Sequence, residues 1–130
     1  KKRYNKGIEY ATEYWGELIS GNVCVFNMVT HSEGAALGAG IVKKLIENGC
    51  RVETVLHFSP YKGNEFSTPK EPFTLQVGYK GDWITKNNKV RGVDNYILVE
   101  NSLGWRYVHG ATRQGEEVWE EVKRFYRGLR

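Results

Sequence analysis

The chain is 130 residues long, 40% hydrophobic and 13% aromatic, which suits one globular domain over 1–130 and excludes a globally disordered chain. No apolar run approaches the ~20 residues of a membrane-spanning helix, and no apolar stretch follows Lys1-Lys2-Arg3 to make a secretory signal. The net charge of +4 permits contact with nucleic acid, but the basic residues do not interleave with aromatics on one face, so nucleic acid ranks last among partners.

In chain order, Tyr4, Ile8, Ala11, Trp15, Leu18 and Ile19 fall at helical spacing and predict an amphipathic helix over 4–19, stopped by Ser20-Gly21-Asn22. The β-branched run 23–29 predicts a buried strand. A polar corner, Thr30-His31-Ser32-Glu33-Gly34, leads into a helix over 35–48 with Leu37, Ile41, Val42, Leu45 and Ile46 on one face, ended by Asn48-Gly49. A second strand covers 52–58, a Pro-containing loop 61–72, a third strand 73–79, a loop 83–95 and a fourth strand 96–99. Residues 103–110 read as strand or loop, and 114–126 as a closing helix with Val118, Trp119, Val122 and Phe125 inward. Its acids come first (Glu116, Glu117, Glu120, Glu121) and its bases last, as the helix dipole favours.

This order predicts an α/β domain: a three-layer sandwich whose mainly parallel sheet of about four to five strands has flanking helices. The link between strands three and four carries no clear helix, so an antiparallel fourth strand is compatible with it. Cys24 and Cys50 stand near the starts of the first two strands, make no metal motif and read as buried reduced thiols. The abrupt start reads as that of a domain cut from a longer polypeptide, which, or a second chain, would complete the fold.

Few residues are available for chemistry: His31, His57, His109, Asp82 and Asp94 are all the histidines and aspartates of the chain. Ser32 follows the first strand at a strand-to-helix corner, where open α/β sheets present ligands and nucleophiles. Asp82 follows the third strand, and His109 sits in Tyr107-Val108-His109-Gly110 before the last helix. In a parallel sheet all three open on one edge, and their chain order, Ser, Asp, His, is that of the α/β-hydrolases. The plainer reading makes Ser32 an N-cap of the helix that follows. His57, inside an apolar strand, reads as a core histidine, Asp94 as turn chemistry and Glu100 as a weaker rival acid. Trp15 and Trp119 fall at core spacing, whereas Trp83 and Trp105 flank the site and are candidates for a substrate pocket.

The segments 29–34, Gly81-Asp82-Trp83-Ile84 and Tyr107-Val108-His109-Gly110 resemble the catalytic half of the fungal-type (class 3) lipases, whose elbow reads G-H-S-x-G. The stretch 31–110 also resembles lipase-like tips at the carboxyl ends of bacterial rearrangement-hotspot-repeat proteins, a group that includes secreted polymorphic toxins. The resemblance implies a partial α/β-hydrolase fold and a serine hydrolase cleaving a lipid or acyl ester without cofactor or metal. Such a protein would act in the bacterial cytoplasm or be delivered as part of a larger one. Ser32 would be nucleophile, His109 general base, Asp82 its orienting acid, and the Glu33 N–H an oxyanion donor; His31 would support the elbow. Thr30 departs from the motif's Gly, whose missing side chain lets the turn pack closely. The family's second oxyanion donor comes from a loop upstream of this chain's first strand, and one donor is worth ~100- to 1,000-fold in rate. The alternative implied is a catalytically weak or inactive hydrolase-fold module that binds or delivers. The loop 61–72 is the natural candidate for a lid.

Overall fold

The computed structural model describes residues 1–22, 24–100, 109 and 116–128. The expected strand or loop over 103–110 therefore lies outside the described residues, His109 excepted, as do Trp105 and the first residues of the closing helix. The elements are α1 (Lys2–Glu13), α2 (Trp15–Leu18), β1 (Val25–His31), α3 (Gly34–Glu47), β2 (Arg51–Phe58), β3 (Phe73–Tyr79), β4 (Asn95–Val99) and α4 (Glu116–Gly128), with single 3-10 turns at Ser20–Asn22 and Gly63–Glu65. The chain is an α/β domain: a four-stranded, all-parallel sheet in the order β1-β2-β3-β4, with flanking helices.

Strand alternation divides the core into two layers. Leu56, Phe58, Leu75, Val77, Tyr79 and Val99 face α4, which closes over them with Val118 and Val122. On the opposite face Val52 and Val55 pack under Val42 and Leu45 of α3. Val52 and Val55 are three residues apart and would point to opposite faces of a regular strand. A bulge reconciles them, because Phe26 pairs with Val52 but Asn27 pairs with Thr54, leaving Glu53 as the extra residue. The apolar pattern thus stays inward across an irregular register.

The single helix expected over 4–19 is two helices that break at Tyr14, whose backbone (φ −99°, ψ 21°) leaves the helical region. α1 lies on α3 with no room between them: a Cβ on Gly7 would collide with the Leu37 carbonyl, and one on Gly40 with that of Tyr4. The fourth strand is parallel, which removes the antiparallel alternative. Its crossover, 80–94, is long enough to return along the sheet without a helix. That irregular chain is held by Gln76, whose side-chain oxygen accepts from the Val90 N–H (2.8 Å) and whose amide donates to the Asn88 carbonyl (3.1 Å).

Cys24 and Cys50 are not free thiols. They form a disulfide with their Cα atoms 4.8 Å apart. The cause is register: Val25 pairs with Arg51, so the residues just before them face one another across two parallel strands. The loop 61–72 is also tied down. Phe66 is buried, the Tyr61 N–H donates to the Ser32 carbonyl, and the Thr68 N–H donates to that of Arg91. These anchors argue against a lid. No helix among the described residues is long and apolar enough to cross a membrane.

Candidate active site

The corner after β1 is held on every side. Ser32 has φ +54°, a left-handed backbone that a residue with a side chain adopts at a cost. Its N–H donates to the Phe58 carbonyl (3.0 Å), continuing the β1–β2 ladder by one step, while its carbonyl accepts from Ala35 (3.2 Å) and Tyr61 (3.0 Å). These bonds over-determine the turn and lift the serine side chain out of the strand's plane.

The N-cap of α3 is Glu33, without a side-chain cap bond, so Ser32 is not the cap of the plainer reading. Its hydroxyl lies instead 2.7 Å from His109 Nε2. On the other side of that ring, His109 Nδ1 stands 3.0 Å from Asp82 Oδ2. Because a carboxylate only accepts, the network assigns the proton of a neutral imidazole to Nδ1 and leaves Nε2 to accept from the serine hydroxyl. The carboxyl side chain of Asp82 is 0% exposed and the imidazole 16%. Asp82 Oδ1 accepts from the Ile84 (3.1 Å) and Thr85 (3.2 Å) N–H groups, which fixes the plane of the carboxylate and aims its second oxygen at the ring. Burial first, and then the charge of Asp82, push the Tyr96 hydroxyl up to about 12, so it stays a neutral donor, to the Asn87 carbonyl at 2.6 Å.

His31 occupies the position before the serine, and its Nε2 is 3.1 Å from the His109 backbone carbonyl. The residue before the serine thereby holds the backbone of His109 as well. Below the elbow, Thr30 Oγ1 and His57 Nδ1 are 2.6 Å apart. Burial pulls the His57 pKa down to about 4 and keeps the ring neutral. Its Nε2 has no partner among the described residues. Thr30 is accommodated by Gly38 of α3, where any side chain would meet the threonine methyl.

The rival acids are elsewhere. Asp94 accepts from the Thr74 N–H (2.7 Å) and donates its own N–H to the Thr74 carbonyl (2.9 Å), a long-range pair that ties the segment before β4 to β3 instead of the local turn expected. Glu100 pairs with Lys80 at the surface. Trp83 follows Asp82 and is 60% exposed. No cluster of metal-ligating side chains exists among the described residues. The Glu33 N–H opens the first turn of α3, where a helix leaves its N–H groups without partners of its own.

Beside the elbow lies a cavity of about 230 Å³ bounded by Lys1, Lys2, Arg3, Glu33, Tyr61 and Lys62, with Ala36, Glu65 and Phe66 completing its wall. A separate apolar groove of about 540 Å³ runs between β1 and α4, past Val29, Leu56, Trp119 and Tyr126. Comparison with known proteins finds no family model that matches the chain and no curated protein similar to it.

Proposed function

We propose that the domain is a serine hydrolase that cleaves an ester by way of an acyl-enzyme on Ser32. The observation that carries this reading is the continuous line from Ser32 Oγ through the two nitrogens of His109 to the buried Asp82 carboxylate, with steps of 2.7 and 3.0 Å. Proton transfer within such a set needs heavy atoms within about 2.6–3.2 Å, which both steps satisfy.

In the forward step, Ser32 Oγ attacks the ester carbonyl carbon while His109 Nε2 takes the hydroxyl proton. The negative charge that develops on the carbonyl oxygen is met by the Glu33 N–H. The C–O bond to the alcohol then breaks, and His109 returns its proton to the departing oxygen. A water then attacks the acyl carbon while His109 Nε2 takes its proton; the bond from that carbon to Ser32 Oγ breaks, the acid leaves and His109 returns the proton to Ser32 Oγ. Asp82 holds the imidazole in the required tautomer and stabilises its charged form, and is not itself protonated. The left-handed φ of Ser32 sets the half-buried residue at the carboxyl edge of the sheet, where a substrate would approach it.

A formed charge line and a left-handed serine together favour catalysis over the alternative of a non-catalytic binding or delivery module, which requires neither. Labelling with a fluorophosphonate probe tests the choice. The expected result is one adduct, found by mass spectrometry on the peptide that contains Ser32 and lost in Ser32→Ala and His109→Ala. Absence of an adduct on Ser32 in protein shown to be folded by circular dichroism refutes the hydrolase.

A further inference from the structure

Lys1, Lys2 and Arg3 are three consecutive cations, and the first turn of α1 carries no acid. All three line the cavity next to Glu33, and so does Lys62, from the loop after β2. Arg3 is paired with Glu33 (2.9 Å) and Lys62 with Glu65 (3.4 Å), whereas Lys1 and Lys2 have no ion pair among the described residues. Four cations therefore share two carboxylates, and the cavity is electropositive. It is also tied to the nucleophile. Glu33 follows Ser32 in the chain, and the Tyr61 N–H donates to the Ser32 carbonyl at 3.0 Å.

Resting on the serine-hydrolase reading above, we propose that this cavity is a subsite for a compact anionic group, a phosphate above all, carried by the ester that Ser32 attacks. At about 230 Å³ it falls below the ~300–1,000 Å³ of pockets that enclose whole drug-sized ligands, so it takes one group of a substrate rather than all of it. Lys2 and Lys62 are the two residues on which binding rests. Arg3, paired with Glu33, offsets that carboxylate at the cavity wall.

Binding is measured first in the Ser32→Ala protein, where it does not depend on turnover. Calorimetric titration with glycerol 3-phosphate is expected to show binding that weakens with added salt. The combined Lys2→Ala/Lys62→Ala change should weaken it by about tenfold, the product of two exposed charge contacts. Lys123→Ala, on α4, serves as the control for net charge and should leave it unchanged. Co-sedimentation with phosphatidylglycerol against phosphatidylcholine vesicles identifies the source of the anion. Binding to the anionic vesicles alone assigns a lipid headgroup, and binding of the soluble compound alone assigns a small phosphorylated ester. No binding in either form, or binding indifferent to Lys2 and Lys62, overturns the subsite. In the active protein, butyrate release from butyryl glycerol 3-phosphate should exceed that from monobutyrin in kcat/KM, and the ratio should fall in the double variant. If the fluorophosphonate fails to label Ser32 while lysine-dependent phosphate binding persists, the hydrolase reading fails and the anion site stands. If labelling succeeds and the ratio is one, the subsite fails alone.

Discussion

Thr30 and Gly38 occupy one volume between them. The methyl of the threonine, on β1, lies where a side chain on the glycine of α3 would begin, so the space that an elbow glycine leaves on the strand is here left by the helix. The threonine hydroxyl is spent on His57.

Gly38→Ala should therefore destabilise the fold by about 1–3 kcal/mol through overpacking, more than the ~1 kcal/mol that alanine gains over glycine as a helix former. Thr30→Ser removes the methyl and keeps the hydroxyl. In that background Gly38→Ala should become neutral or stabilising, and urea denaturation of the two single variants and the double gives the coupling directly.

Asp82→Asn tests the charge line without emptying the site. The amide oxygen can still accept from Ile84 and Thr85, which puts the NH2 group opposite His109 Nδ1. Two donors cannot face one another, so the imidazole must carry its proton on Nε2 and present a donor to Ser32. The expected loss is about 10⁴-fold in kcat, with the fold intact by circular dichroism.

His57 makes stability depend on pH. Its folded pKa of about 4 lies below the unfolded value of 6.5 because burial disfavours the charged ring. Between these values the unfolded chain binds more protons, so stability is complete above pH 6.5 and falls as the pH drops towards 4. The full difference amounts to roughly 3 kcal/mol at 1.36 kcal/mol per unit. Urea midpoints measured from pH 7 to pH 4 should show this decline, and His57→Gln, which does not titrate, should flatten it.

The disulfide closes a loop of 26 residues by sequence separation. In the chain-entropy description such a closure contributes about 3–4 kcal/mol. Guanidinium denaturation with and without reductant should differ by that amount, and Cys24→Ser/Cys50→Ser should behave as the reduced protein does in both conditions.

Much of the architecture can be read from apolar periodicity and turn residues. The four strands lie within two residues of their expected bounds, and Ser32, Asp82 and His109 meet as their order along a parallel sheet predicts. What is missed depends on partners distant in sequence. Tyr14 breaks a helix whose apolar spacing runs on without interruption. The parallel β4 relies on the Gln76 amide holding an irregular crossover, which no local pattern announces. The disulfide follows from inter-strand register, and the fit of Thr30 to Gly38 from how closely α3 approaches β1.

Consider finally a pull on the two ends of the chain. The covalent path runs from Cys24 straight to Cys50, so the intervening segment, with Ser32 and all of α3, carries no tension. About 90 Å of contour, at ~3.6 Å per residue, is withheld from extension until the bond is reduced. His109 and Asp82 lie outside this closed loop, on the part of the chain that bears the load. Stretching would separate His109 and Asp82 from Ser32 while the turn at Ser32 remained unloaded, and release would return them to a corner that had kept its shape.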